Sequence, residues 1–393
     1  MKKVVLAYSG GLDTSVCIPW LIDRGYEVVC FMADVGQGKN VAPAVRRGKI
    51  AGASKVIVGD LKKEFVEDFV WPALKANAVY EGRYVLATAL SRPLIARELV
   101  RVAKREKATA IAHGCTGKGN DQVRFEATSQ ILAPELETIA PVREWELKSR
   151  EEEIQYALDR KIPIDVTKKS IYSIDENLWG VSIESGPLEN PWTAPPADCY
   201  MWTKGAEKRN LKPSTIVIDF EKGVPVGLNG RRLSGLNLIG ALNKKCGAYG
   251  IGRMDMIENR LVGIKSREVY ETPAAAVLLA AHRDLEALVL DRGVAQYKEE
   301  IIPIYSRLIY NGLWFTELKR SLDVFINETQ RLVTGSVRVE LSKFHFTVNG
   351  RKSPNSLYRE KLATYGEGDQ FDQKLARGFI DLYALPFKGT HSR

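Results

Sequence analysis

A chain of 393 residues is longer than one typical hydrophobic core supports, so two domains are expected. Hydrophobic residues at 45% and charged residues at 27% exclude a disordered chain. The net charge of +9 invites a nucleic-acid reading, but it comes from bases interleaved with acids (Lys62, Lys63, Glu64; Arg150, Glu151, Glu152), and a mixed solvated surface with a cleft for anions explains it as well as RNA does, so no nucleic-acid partner is expected.

Residues 4–8 are apolar, partly β-branched and uncharged, which predicts a buried strand of a parallel sheet. Gly10 and Gly11 then permit a tight turn and close approach of a ligand to the backbone. Asp13, Thr14 and Ser15 open a helix whose Val16, Cys17, Ile18, Trp20, Leu21 and Ile22 can pack on the sheet. Unpaired N–H groups and the positive end of a helix dipole meet at this turn, a geometry suited to phosphate, with Ser9, Thr14 and Ser15 as further donors. The S-G-G-x-D-[ST]-S spacing is neither G-x-G-x-x-G nor G-x-x-x-x-G-K-[ST], so a dinucleotide fingerprint and a Walker A loop are both excluded.

Residues 27–33, 55–58, 109–112 and 137–142 read as further strands, with helices over 41–51, 61–70 and 90–104. This alternation predicts an α/β fold with a doubly wound parallel sheet, whose ligands bind beyond the carboxyl ends of the strands. The segments just past the first, second and fourth strands are SGGLDTS, DVGQG and HGCTGKGND, and together they are expected to form a nucleotide pocket. His113 reads as a packed loop histidine, and Lys118 either contacts an anion or is solvated. Ser149 and Glu152 form a capping box for a helix ending before Pro163, and a nucleotide-binding domain over 1–165 is expected to end there.

The stretch 186–196 reads as an irregular, docked loop. Beyond it come strands over 214–220 and 224–228, a turn at Asn229 and Gly230, a helix over 236–243 and a strand over 253–257. A helix over 273–290 follows, with Thr272 at its N-cap, then helices over 296–310 and 318–329 and strands over 335–340 and 344–348 closed by Asn349 and Gly350. Hairpin strands with segregated helices predict an α+β domain over 166–360. Residues 351–369 read as polar loop. In the tail over 361–393, Leu375, Phe379, Leu382 and Tyr383 share one side of a helix that either folds back or packs on another subunit. The apolar segment 274–281 is far too short to cross a bilayer and 4–8 too short for a signal peptide, so a cytoplasmic location is expected. Five scattered cysteines favour reduced thiols over disulfides or a zinc site.

The loop over 9–15 resembles the pyrophosphate loop of the ATP pyrophosphatases, which cleave ATP between the α and β phosphates. Longer stretches, GRY (82–84), HGCTGKGNDQVRFE (113–126), ENLWGVSIESGPLENPW (176–192), GRMDMIENRLVGIKSREVYE (252–271) and YGEGD (365–369), are similar to argininosuccinate synthase. The resemblance implies an AMP-forming carbon–nitrogen ligase of arginine biosynthesis. In that family citrulline's ureido oxygen attacks the α phosphorus of ATP, diphosphate leaves, and aspartate's amine displaces AMP from the citrullyl adenylate. It implies that Ala7, Tyr8, Ser9, Gly10, Gly11, Leu12, Asp13, Thr14 and Ser15, with Ala33 and Gly114, hold ATP. Thr116, Asn120 and Asp121 then take aspartate, and Tyr84, Asn120, Arg124, Ser173, Ser182, Glu258 and Tyr270 take citrulline. The residue types suit these ligands. Arg124 can hold a carboxylate bidentately, Asp121 and Glu258 can hold ammonium groups, and Asn120 is both donor and acceptor.

No general base is implied, because adenylyl transfer is largely positioning and charge neutralisation. Mg2+ is expected with ATP, held mainly by phosphate oxygens and water. Asp13 is the nearest protein candidate and alternatively an N-cap. The resemblance also implies a homotetramer whose tails cross between subunits. Ala89 follows Thr88 where many family members have serine, which leaves one contact to citrulline for Thr88 to supply or for nothing to supply. Two rival readings are a tRNA-modifying ATPase with the same loop and a non-enzymatic ligand-binding member. The absence of paired cysteines counts against the first, and the intact loops count against the second.

Overall fold

Five parallel strands, β1 (Lys2–Ala7), β2 (Tyr26–Asp34), β3 (Lys55–Asp60), β4 (Ala110–His113) and β5 (Glu137–Ile139), lie in the order β3-β2-β1-β4-β5. They belong to a computed structural model that describes residues 2–38, 41–147, 149–163 and 171–392. Strand side chains alternate between faces. Val4, Leu6, Val28, Cys30, Ala110 and Ala112 therefore pack with Val16, Ile18 and Leu21 of the Leu12–Asp23 helix. On the opposite face Val5, Val29, Phe31 and Ile111 pack with Leu90 and Leu94 of the Ala87–Glu106 helix. The chain winds outward from β1 to β3 and then returns to lay β4 against the other side of β1. At that reversal the two connections leave in opposite directions and open a crevice at the carboxyl ends of β1 and β4.

The last strand ends earlier than its sequence suggests. Pro141 has no N–H to pair and instead opens a short helix, Pro141–Glu144. The helix expected over 61–70 is a run of Lys62–Glu64, a π-helical turn Phe65–Val70 and Trp71–Lys75. Ser149 caps the Arg150–Asp159 helix by accepting from the Glu152 N–H. The boundary expected at 165 lies outside the described residues.

Two antiparallel sheets follow. One joins β10 (Arg231–Arg232), β9 (Val224–Leu228), β8 (Ser214–Glu221), β13 (Gly335–Ser342) and β14 (His345–Lys352) in that order. Asn229 and Gly230 take φ 53° and 76° and make the expected turn. Asn349 and Gly350, expected to close a hairpin, lie inside β14, and the turn falls earlier, where Phe344 takes φ 57°. The second sheet has the order β11-β12-β7-β6, from β6 (Ser173–Asn177), β7 (Gly180–Glu184), β11 (Arg253–Asn259) and β12 (Lys265–Glu271). Of these only β11 was legible as a strand, because SIDEN and KSREVYE carry too many charges to read as strands.

Helices Gly235–Ala248, Pro273–Val289, Arg292–Tyr310 and Glu317–Thr329 complete this part. Thr272 stands at the N-cap position without a capping bond from its side chain, and the Asn243 side chain accepts from the Ala274 N–H instead. The loop after Leu188 is irregular but not docked on this chain around Trp192, which is 94% exposed. The tail helix, Leu375–Ala384, does not fold back, since Leu375, Phe379, Leu382 and Tyr383 are each between 66% and 73% exposed.

One buried cluster runs from Val5 and Phe31 through Trp179 to Phe220 and Leu278, so the parallel sheet and the second part share a core. Trp179 sits at the joint: it is 1% exposed and its indole N–H donates to Val85 O at 3.1 Å. Beside it Asn177 donates to Ala87 O at 2.8 Å, which fixes the β6–β7 turn against the amino end of the Ala87–Glu106 helix. Trp179→Ala is expected to lower unfolding stability by about 3–5 kcal/mol in chemical denaturation, whereas an unchanged midpoint would show that this joint does not hold the two parts together.

Candidate active site

β1 ends at Ala7, and the chain turns through Gly10, at φ +77°, into the Leu12–Asp23 helix. A Cβ at Gly10 would lie 2.4 Å from Ala44 Cβ, so backbone conformation and space both require glycine. Gly11 is the N-cap and no side chain caps the helix, which leaves first-turn N–H groups available at the positive end of the dipole. Ser9 and Thr14 share a hydroxyl contact of 3.1 Å beside them. Gly114, just past β4, closes against Thr14, where a Cβ would come within 2.9 Å of Thr14 Cγ2.

These segments and the second sheet line one cavity of about 800 Å³. Of the residues expected to hold ATP, Ala7, Tyr8, Ser9, Gly10, Gly11, Asp13, Thr14, Ala33 and Gly114 line it. Leu12 and Ser15 do not. Leu12 is buried in the core beneath, and the Ser15 hydroxyl turns back to donate to Gly11 O at 2.6 Å. Asp13 lies in the first turn and is not the N-cap. Burial and the nearby Asp13 carboxylate push Glu153 up to about 8, and Glu153 Oε2 is buried without a hydrogen-bond partner.

The other end of the cavity is built by strand alternation. Ser182 pairs with Asp175 and Tyr270, and Glu184 with Ser173, so these side chains face the cavity together. Val181, Ile183 and Val269, at the intervening positions, pack behind them with Leu188 and Cys199. Tyr84 stacks on Tyr270 at 4.3 Å, and its hydroxyl accepts from the Thr88 and Ala89 N–H groups at 3.0 and 3.3 Å. That hydroxyl therefore caps the amino end of the Ala87–Glu106 helix, where Leu86 is held at φ 65°. Thr88 lines the cavity with its hydroxyl 3.4 Å from that of Ser182, while Ala89 is buried in the core.

Both Glu258 carboxylate oxygens are occupied, by the Tyr270 hydroxyl at 2.8 Å and the Tyr310 hydroxyl at 2.9 Å. Burial nevertheless raises the Glu258 carboxyl above its usual range. Asn120 donates to the Tyr310 hydroxyl at 2.7 Å and accepts from the Leu261 N–H at 2.9 Å, which ties the loop after β4 to the β11–β12 turn. Arg124 donates to Tyr310 O at 2.8 Å and to Asp121 at 2.9 Å. Burial alone would raise Asp121, but Arg92 and Arg124 outweigh it and bring it down to about 2, so it stays anionic. Every residue expected to take citrulline or aspartate lines this one cavity.

Arg47, Arg92, Glu184, Arg260 and Glu268 also line the cavity and were missed from the sequence. The alternation in GVSIE, with Ser182 and Glu184 on one side, was the available signal for β7, and the four-residue spacing from Thr88 to Arg92 on one helix face was the signal for Arg92. Arg260 bridges Glu184 and Glu268, and burial together with Glu184 raises the Glu268 carboxyl well above its usual range. His113 is packed, as expected, with Nε2 3.0 Å from Glu126, and Lys118 is exposed outside the cavity lining. The arrangement offers an anion cradle at one end and paired cationic and anionic groups at the other.

Two family models match the chain, Arginosuccinate synthase N-terminal HUP domain over residues 3–163 and Arginosuccinate synthase C-terminal domain over residues 172–390. The argininosuccinate synthase of Chlorobium phaeobacteroides is 55% identical over 388 residues, covering 98% of this chain and 97% of the relative. That of Chlorobaculum tepidum is 53% identical over 392 residues, covering 99% and 98%. That of Desulforamulus reducens is 53% identical over 389 residues, covering 99% and 97%.

Gly10→Ala forces a side chain into a left-handed turn against Ala44. It is expected to weaken ATP binding by at least about tenfold in equilibrium titration, and wild-type affinity in that variant would remove the loop as the phosphate seat.

Proposed function

The chain belongs to the argininosuccinate synthase family, and from that membership we propose how its cavity joins citrulline to aspartate at the expense of ATP. The enzyme is an ATP-dependent ligase of arginine biosynthesis. ATP lies with its phosphates over the first-turn N–H groups of the Leu12–Asp23 helix and the hydroxyls of Ser9 and Thr14, with Ala33 and Gly114 against the nucleotide. Citrulline lies across the sheet face, its carboxylate on Arg124 and its ammonium near Glu258. Glu258 suits that role because it is buried, its hydrogen bonds come from neutral hydroxyls, and no ion pair reaches it among the described residues.

The ureido oxygen forms a bond to the α phosphorus as the bond to the bridging oxygen of diphosphate breaks. Aspartate's amine, held at Thr116, Asn120 and Asp121, then bonds to the ureido carbon, AMP leaves with the electron pair of the carbon–oxygen bond, and the amine gives up a proton. Fixed groups do this work by holding the partners in line and balancing charge, which needs no nucleophile from the protein. Magnesium bound with ATP would neutralise charge on the departing diphosphate. Among the described residues no three ligating side chains cluster, so Asp13, with Glu153 beside it, would supply the protein's share, and phosphate oxygens and water the rest.

One observation carries this reading: the phosphate turn and the amino-acid face belong to one continuous cavity. Sustained AMP and diphosphate release from ATP is expected only when citrulline and aspartate are both supplied, measured with each omitted in turn. Turnover that needs neither amino acid, or that tRNA stimulates in their place, would overturn it.

The exposed apolar side of the Leu375–Ala384 helix supports a homotetramer whose tails cross between subunits. No helix among the described residues is long and apolar enough to cross a membrane, and the reading places the enzyme in the cytoplasm with no nucleic-acid partner. Deleting the residues after Asp369 is expected to yield smaller particles in analytical sedimentation, and a truncated chain that stayed tetrameric would remove the tail as the contact.

A further inference from the structure

We propose that Arg92 supplies the cation that receives a carboxylate of aspartate. This rests on reading the cavity as that of an argininosuccinate synthase and starts from charge. Aspartate brings two carboxylates and one ammonium group. The positions expected to hold it, Thr116, Asn120 and Asp121, bring one further negative charge and no positive one. A cation must therefore come from elsewhere in the lining.

The other lining arginines are committed differently. Arg124 donates to Tyr310 O and belongs to the citrulline end. Arg260 bridges Glu184 and Glu268. Arg47 donates to Gly10 O at the phosphate end. Arg92 lines the cavity on the same helix face as Thr88, one turn further along, and its side chain is 14% exposed. Its Nε and Nη2 contact Asp121 Oδ2 at 2.9 and 2.7 Å, and Nη2 also contacts Asp175 at 2.7 Å. Nη1 donates to no protein group among the described residues and is left for a ligand.

Aspartate's ammonium and side-chain carboxylate are opposite charges a few bonds apart, and the Arg92–Asp121 ion pair is their complement. The ammonium goes to Asp121 and the side-chain carboxylate to the guanidinium, whose planar fork matches it. Asp175, with a side chain 53% exposed, can turn to solvent as the incoming carboxylate takes its place. Arg92 thereby fixes which end of aspartate faces the adenylate and makes the second carboxylate a condition of good binding.

The test is steady-state kinetics of the full-length enzyme with KM measured separately for aspartate and citrulline. Arg92→Gln is expected to raise the aspartate KM about 50-fold while the citrulline KM rises no more than about fivefold, with Arg92→Lys recovering part of the difference through its retained charge. The preference of wild type for aspartate over asparagine or alanine as the amine should narrow in Arg92→Gln by a similar factor. Equal rises in both KM values, an aspartate KM within about threefold of wild type, or an unchanged preference in the Arg92→Gln enzyme would overturn the assignment. If wild type shows no citrulline- and aspartate-dependent AMP release, the parent reading fails instead, before any variant is compared.

Discussion

The structure depends on a helix whose amino end is left uncapped. Gly10 must be glycine because its backbone is left-handed and Ala44 fills the space where a side chain would project. Gly11 then starts the helix with no side-chain oxygen to satisfy its first N–H groups. In an ordinary helix that omission costs stability, and a serine or aspartate at this position would relieve it. Here it keeps several donors and the positive end of a dipole free at the switch point of a parallel sheet, where an anionic ligand can meet all of them. The buried packing of Val16, Ile18 and Leu21 against β1 and β2 holds the helix there without help from a cap.

On the proposed reading the opposite wall meets a different problem, the recognition of zwitterions. The β11-β12-β7-β6 sheet puts apolar residues behind and serine, tyrosine and carboxylates in front, with Arg92, Arg124 and Arg260 facing them. These charges are paired, Arg92 and Arg124 with Asp121 and Arg260 with Glu184 and Glu268, and further bonds brace the wall around them. Two tyrosine hydroxyls hold Glu258, Asn120 ties the loop after β4 to the β11–β12 turn, and Asn177 anchors the β6–β7 turn to the helix that carries Arg92. Preorganisation of this kind lets fixed dipoles and charges replace the water shed by the substrates.

Much of this was legible in the sequence, and the exceptions share a physical cause. The first half reads easily because a doubly wound sheet is buried on both faces, so its strands are apolar runs and its glycine turn stands out. The sheet of the second half is harder to see, because one face lines the cavity and is polar. SIDEN and KSREVYE alternate correctly, but the polar positions are charged and the strands read as loop. Arg92, Glu184 and Glu268 were hidden for the same reason, since each looks like a solvated charge until the fold turns it inward. Ser15 runs the other way: its place in the motif suggests a phosphate donor, and the structure turns its hydroxyl back to Gly11 O. Pro141 and Asn349 show how local signals yield to context, the first ending a strand early and the second sitting within one.

On the proposed reading the uncapped turn and the opposite wall serve one reaction across one cavity. A crystal structure with citrulline and a non-hydrolysable ATP analogue tests it most directly. The account predicts the phosphates on the N–H groups of residues 10–14 and the ureido oxygen about 3–3.5 Å from the α phosphorus, opposite the leaving diphosphate. A triphosphate bound away from that turn, or a ureido group facing the wrong side of the phosphorus, would contradict it.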